Sequence, residues 1–113
     1  MTLEKIAKQS EFEVLYLGED RAVTGVYCCD LLSIAMTKVP AGAVWVTVMS
    51  NLNTLAVASL TEAGCVILAE GVAVEEKLIE RAKQQGITLF RTELPIFETA
   101  WNVHNLLQIE CVR

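Results

Sequence analysis

The chain has 113 residues, of which 53% are hydrophobic and 20% charged; this balance excludes a disordered chain and predicts one domain, residues 1–113, with one buried core. The net charge of -5 at pH 7 argues against nucleic-acid or acidic-membrane partners, because phosphate affinity rests on Lys and Arg. No apolar run approaches the ~20 residues of a membrane helix. The N-terminus lacks the pattern of a secretory signal, so we expect a cytoplasmic protein.

The first third of the chain predicts two helices and two strands. Thr2 is expected to cap the first helix, and Asp30 the second. Gly25, within the second strand, indicates a bulge or a close approach of another backbone. The predicted elements are a helix over residues 2–9, strands over 12–17 and 22–27, and a helix over 31–38.

The central part of the chain predicts a strand, a helix and a second strand. Residues 43–49 and 65–69 are nearly continuous apolar runs, which is typical of strands covered on both faces. A polar corner over residues 50–53 leads into a helix over 54–63, which Gly64 is expected to end in a left-handed conformation. Because the unit is short, we expect a right-handed crossover that makes the two strands parallel.

Three further elements complete the chain. Residues 75–86 have acids in the first turn, bases later and a glycine at the end, which indicates a helix on an outer face. Residues 87–90 predict a third parallel strand. Pro95 is suited to the first position of a final helix that continues to about residue 108.

The final helix carries a wider apolar arc than one buried stripe requires. The excess predicts a second contact, and a homodimer is its simplest source. We assign this interface to Phe97, Trp101 and His104. The arc consists of Ile96, Phe97, Ala100, Trp101, Val103, His104, Leu106 and Leu107.

The predicted fold class is therefore α/β: a single three-layer domain with a mainly parallel central sheet flanked by helices. The direction of the first two strands is left open, and either can join antiparallel. Ligands of such sheets bind beyond the carboxyl ends of the strands, where amide, hydroxyl and guanidinium groups are available to a nucleotide or phosphate. The alternative is that these residues only cap helices and form turns. The candidate ligand residues are Ser50, Asn51, Asn53, Glu70, Gly71, Arg91 and Thr92.

The cysteines do not form a recognisable metal or disulfide pattern. Cys28, Cys29 and Cys111, with His104, are a conceivable zinc set, but no C-x-x-C pair exists and free cysteine commonly behaves as a small apolar residue. A cysteine nucleophile paired with His104 lacks any motif that would support it. The chain also lacks the phosphate-loop and dinucleotide fingerprints, so we predict no metal, no cofactor and no catalytic residues.

Several segments resemble small stand-alone members of the DRTGG domain family, over residues 14–107. The segments are Tyr27 and Asp30-Leu31-Leu32-Ser33, Trp45-Val46-Thr47, Asn51-Leu52-Asn53, Ala56-Val57-Ala58, Ile67-Leu68, Gly86-Ile87 and Phe97-Glu98. The corners that give the family its name, Asp-Arg and Thr-Gly-Gly, are replaced here by residues 50–53 and 69–71.

The resemblance implies a compact α/β domain without catalysis. Family members are fused to phosphotransacetylases and, beside CBS modules, to inorganic pyrophosphatases, as regulatory or dimerising parts. Short forms occur near iron-only hydrogenase and redox genes of anaerobes, which implies a redox- or hydrogenase-related protein partner. Some relatives are labelled as a serine kinase of the sugar-transport phosphocarrier, but this chain lacks the phosphate loop that such a kinase needs.

Three functions follow as hypotheses. The first is a non-catalytic regulatory or accessory domain that forms homodimers. The second is a sensor that binds an adenine nucleotide at the carboxyl edge of the parallel strands. The third, which the sequence favours least, is a cysteine-based redox or metal-binding protein.

Overall fold

The computed structural model describes residues 1–111, with side chains up to residue 109, and this part of the chain forms five strands and five helices. The strands are β1 (Glu13–Tyr16), β2 (Gly25–Cys28), β3 (Ala43–Thr47), β4 (Cys65–Leu68) and β5 (Leu89–Arg91). The helices are α1 (Leu3–Ala7), α2 (Leu32–Lys38), α3 (Leu52–Thr61), α4 (Glu76–Gln85) and α5 (Ile96–Cys111). Within residues 1–111, none of the helices combines the length and apolar character that crossing a membrane requires.

The five strands form one mainly parallel sheet in the order β1-β5-β4-β3-β2. The β3-α3-β4 unit is parallel as predicted, with Val44 opposite Cys65. Strand β2 also joins in parallel, with Tyr27 opposite Trp45, and β5 is parallel to β4. Only β1 runs antiparallel, against β5. The sequence left the directions of the first two strands open. In the structure β1 is antiparallel to its neighbour and β2 is parallel.

Helices cover both faces of the sheet, which gives the three predicted layers. Trp45 points into the core shared with α2, α3 and α4. Its neighbours Val44 and Val46 point into the core shared with α1 and α5. The Trp45 indole is fully buried, and its Nε1–H donates to Cys29 O at 2.9 Å. This alternation explains why β3 is apolar at every position but one.

Two expected helix caps are absent, and the structure shows another role for one of the two side chains, that of Asp30. Thr2 makes no side-chain hydrogen bond to α1. Residue Leu31, not Asp30, occupies the N-cap position of α2. The carboxylate of Asp30 instead reaches the neighbouring strand, where its Oδ1 accepts from the Thr47 hydroxyl at 2.8 Å and from Val48 N–H at 3.1 Å. Asp30 thus joins the ends of β2 and β3.

Two glycines, Gly64 and Gly25, do not have the roles that the sequence predicts for them. Glu62, with φ of 57°, takes the left-handed C-cap of α3 that was assigned to Gly64. Gly64 serves a close approach: an added Cβ would lie 2.6 Å from Gly42 O. At Gly25 no atom lies within 4 Å of an added Cβ, so the predicted close approach is wrong there. Gly86, with φ of 68°, ends α4 as predicted.

Candidate functional site

The end of β3 leads into a polar corner that is held by its own hydrogen bonds. Asn51 Oδ1 accepts from Thr54 N–H at 3.1 Å and so caps α3. The Ser50 hydroxyl donates to Ala73 O at 2.8 Å, which ties the corner to the loop after β4. Asn53 is exposed. Two of the three predicted ligand side chains at this corner therefore have structural partners, and the third is free to meet a ligand.

A cleft of about 350 Å³ opens beside this corner, between the first turns of α3 and α4. We call it the corner cleft. Lys77 supplies its positive charge, with Nζ at 3.9 Å from Glu75 Oε2 in a largely exposed ion pair. The lining residues are Ser50, Asn51, Leu52, Asn53, Glu75, Lys77 and Leu78. Lys77 and Leu78, from α4, were not among the predicted ligand residues, because the prediction used only the residues at the strand ends and not the start of the helix that faces those residues.

Arg91, at the end of β5, binds the protein's own loop rather than facing the corner cleft. Its Nε–H donates to Val72 O at 2.8 Å, and its Nη2–H donates to Gly71 O at 2.9 Å. The same guanidinium pairs with Glu93 at 2.9 Å and with Glu13 at 3.6 Å. Its side chain is only 23% exposed. The arrangement holds the loop after β4 against the antiparallel edge of the sheet.

Glu70 and Thr92 complete this second network. Glu70 Oε2 accepts from Ile96 N–H at 2.8 Å, which places a carboxylate at the start of α5. The buried Thr92 hydroxyl donates to Glu11 O at 2.7 Å, and the backbone carbonyl of Thr92 accepts from Gly71 N–H at 2.9 Å. Both side chains are thus held by backbone groups of neighbouring segments.

The seven candidate ligand residues therefore fall into two groups. Ser50, Asn51 and Asn53 line the corner cleft. Glu70, Gly71, Arg91 and Thr92 are engaged in the network at the ends of β4 and β5 and do not line it. Ligand binding by either group stays a prediction, but only the first group borders an open volume.

The predicted interface residues form a stacked series on the outside of α5, which we call the aromatic flank: Phe97, Trp101 and His104. The rings of Phe97 and Trp101 have centroids 6.0 Å apart and planes 14° apart. Trp101 stacks on His104 at 6.0 Å in turn. Phe97 is 69% exposed and Trp101 51%, whereas Val103 on the same helix is fully buried. Helix α5 therefore packs on the sheet by one side and presents aromatic rings to the solvent by another.

Two of the cysteine thiols, Cys28 and Cys65, are held away from the reactive thiolate form. Burial raises the pKa of the Cys65 thiol far above its ordinary value. Burial, and to a lesser degree the nearby Asp30 carboxylate, also raises the pKa of Cys28. Among residues 1–109 no group of three metal-ligating side chains comes together. The side chain of Cys111 lies outside the described residues.

A comparison with solved structures identifies a similar fold. The crystal structure of the CBS and DRTGG domains of the regulatory region of Clostridium perfringens pyrophosphatase, complexed with its activator diadenosine tetraphosphate, matches 88% of this chain with a TM-score of 0.71. The two chains share this fold. Sequence identity is 19%, and the match spans 44% of the pyrophosphatase chain. No protein-family model and no curated protein matches the sequence.

This match is consistent with the DRTGG-like domain that the sequence segments resemble. At 19% identity it concerns the fold alone. The CBS and DRTGG domains of that regulatory region are together complexed with a dinucleotide activator, and this property belongs to the pyrophosphatase.

Proposed function

We propose that this chain is a non-catalytic regulatory domain that acts as a homodimer. The observation that carries the proposal is the aromatic flank, since a row of stacked, exposed rings is typical of an interface and rare on a surface that stays in water. A second copy is the simplest partner, because closed two-fold dimers are the commonest soluble assemblies. The regulatory role is supported by the fold shared with a regulatory region.

Sedimentation velocity of the full chain at micromolar concentration tests the dimer. We expect wild type to sediment as a dimer and a Phe97→Ser, Trp101→Ser double variant to sediment as a monomer. Leu60→Ser is the matched control, since Leu60 is 66% exposed but lies on α3, on the other face of the sheet. A wild type that remains monomeric, or a double variant that dimerises as well as Leu60→Ser, would contradict the proposal.

A second candidate function is the sensing of an adenine nucleotide in the corner cleft. It is favoured by the cleft's composition: Lys77 offers a positive charge, Asn53 a free amide, and Leu78 an apolar wall. The first turns of two helices border the same volume, and helix N-termini favour anionic groups. The activator held by the pyrophosphatase region, diadenosine tetraphosphate, provides the chemical class to be tried first.

Thermal shift measurements with diadenosine tetraphosphate, ATP and AMP test this candidate. A ligand present at 100 times its dissociation constant adds about 2.7 kcal/mol to the free energy of unfolding. We expect Lys77→Gln to weaken the response, and Lys83→Gln, which removes the same charge from the far end of α4, to preserve it. Either the lack of a shift with every nucleotide, or an equal response of the two variants, would rule the corner cleft out as the sensor site.

A further inference from the structure

Strand β2 is the free parallel edge of the sheet, and its backbone offers bonding groups to the outside. Cys29 N–H donates inward, to Val46 O on β3, at 3.3 Å. Peptide groups alternate in direction along a strand, so the N–H and C=O groups of Tyr27 also point toward β3. Those of Val26 and Cys28 point away from the sheet. We call residues 25–28, with these outward groups, the β2 edge.

Exposed apolar side chains flank the β2 edge on both faces of the sheet. On one face, α2 and the residue before it contribute Leu31, which is 55% exposed, and Ile34, which is 44% exposed. On the other face α5 packs over β2 and β3. With right-handed connections between the parallel strands, the helical positions of Phe97 and Trp101 put the aromatic flank on the side of α5 that faces this edge. The edge and the flank are therefore one continuous surface.

The distribution of charge distinguishes this edge from the opposite one. The antiparallel β1 edge carries Glu11 and Glu13, both exposed. By contrast, residues 25–28 and 31–38 contain no acidic side chain, and Asp30 between them is hydrogen-bonded to Thr47. A chain with a net charge of -5 repels its own copy over most of its surface. That repulsion is therefore weaker at the β2 edge than at the β1 edge.

We propose, building on the homodimer proposed above, that two copies join through their β2 edges in antiparallel register and form one continuous ten-stranded sheet. In this register Val26 lies opposite Cys28 of the second copy, and the two-fold axis passes between the two Tyr27 residues. The backbone N–H and C=O groups of Val26 then bond to those of Cys28 of the second copy, and the two-fold rotation repeats this pair. The two pairs make four N–H···O bonds.

The apolar flanks supply the rest of the contact. Phe97 and Trp101 each expose roughly 100 Å² of side chain, given the size of aromatic residues and their exposed fractions of 69% and 51%. Together with Leu31, Ile34 and the strand backbone, the two copies bury roughly 1,000–1,200 Å², at the lower bound for a specific interface. The edge supplies the register, and the four aromatic side chains, Phe97 and Trp101 of both copies, supply roughly 400 Å² of the buried area.

Disulfide trapping tests the register. Tyr27→Cys is introduced into a Cys28→Ser, Cys29→Ala background, because two residues facing each other across the axis in a non-hydrogen-bonded pair have Cα atoms about 4.5 Å apart, within disulfide range. We expect mild oxidation to convert most of the protein into a covalent dimer. Leu60→Cys in the same background is the control, and it is expected to remain largely uncrosslinked because α3 lies away from the edge.

Amide hydrogen exchange on the wild-type chain gives a second measurement that needs no substitution at the edge. The amides of Val26 and Cys28 should exchange at least about tenfold more slowly in concentrated than in dilute protein. The amide of Cys29, which bonds to Val46 O, should be protected at both concentrations. A dimer that sediments as such but leaves Val26 and Cys28 fast, with no crosslink at position 27, would overturn the edge register and leave the homodimer standing. A monomer in sedimentation would overturn both.

Discussion

Asp30→Ala should destabilise the fold although Asp30 caps no helix. The Asp30 carboxylate accepts from the Thr47 hydroxyl at 2.8 Å and from Val48 N–H at 3.1 Å. Thr47 is fully buried, so in the variant its hydroxyl loses the carboxylate that accepts its hydrogen bond. An orphaned buried donor costs about 1–3 kcal/mol, and bonds to a charged group lie at the upper end. Val48 N–H is half-exposed and can turn to solvent, so its loss adds little.

We therefore expect Asp30→Ala to lower the free energy of unfolding by about 2 kcal/mol, or to lower Tm by about 8 °C for a domain of this size. Urea unfolding followed by circular dichroism measures the first quantity. Thr47→Val should cost about 1 kcal/mol, because Met49 N–H then loses the hydroxyl that it bonds at 3.2 Å. In the double variant the losses should fall short of their sum by about 1 kcal/mol, the signature of a shared bond.

Asp30→Asn is the matched control, since it keeps an acceptor oxygen and removes only the charge; we expect about half of the loss. The shared bond would be refuted if the loss of unfolding free energy in the double variant equalled the sum of the two single losses, because Asp30 and Thr47 would then act independently. Additive losses together with a loss of about 2 kcal/mol in Asp30→Ala would instead indicate that Asp30 caps α2. In the structure the N-cap of α2 is Leu31 and no side chain caps this helix.

The remaining predictions concern four further positions. Burial raises the pKa of Cys65 above its ordinary value of 9.0, so the unfolded chain releases this proton first and stability should fall by about 1.4 kcal/mol per pH unit above about pH 9; Cys65→Ala should remove that slope in urea titrations at pH 8–11. Gly64→Ala should cost about 1–3 kcal/mol by overpacking against Gly42 O at 2.6 Å, while Gly25→Ala, with open space around it, should change Tm by little. Glu62→Gly should raise Tm by a few degrees, since it relieves a left-handed residue at φ of 57° that costs a side chain about 1 kcal/mol; an unchanged Tm would mean that chain entropy offsets the relief.

The sheet was predictable because its signals are local. The continuous apolar runs of β3 and β4 fix two strands that are buried on both faces, and the short helix between them fixes their direction. The glycine after α4 marked the end of that helix correctly. At Asp30 the prediction was wrong because a long-range contact prevailed over a local preference. Asp30 precedes a helix but bonds to Thr47 on the next strand, and no pattern in the sequence reports that distance.

The candidate site could be predicted from the sequence only in part, for the same reason. Polar residues after strands β3, β4 and β5 were correctly placed at one edge of the sheet. The sequence does not reveal that Arg91 is engaged by the carbonyls of Val72 and Gly71, nor that Lys77 faces the Asn53 corner from another helix. The exposed rings of α5, by contrast, were visible as an apolar arc too wide for one packing surface.

The placement of the two tryptophans has a practical consequence for spectroscopy. Trp45 lies in a water-free core with its indole N–H bonded to a carbonyl, whereas Trp101 is half in contact with solvent. Their fluorescence should therefore differ in wavelength and in access to quenchers. Dissociation of the proposed dimer on dilution should change the emission of Trp101 alone, and denaturant should change both. A Trp101→Phe variant leaves Trp45 as the single fluorophore, which follows the folding of the core, so comparison of the variant with the wild type separates the signal of unfolding from the signal at Trp101.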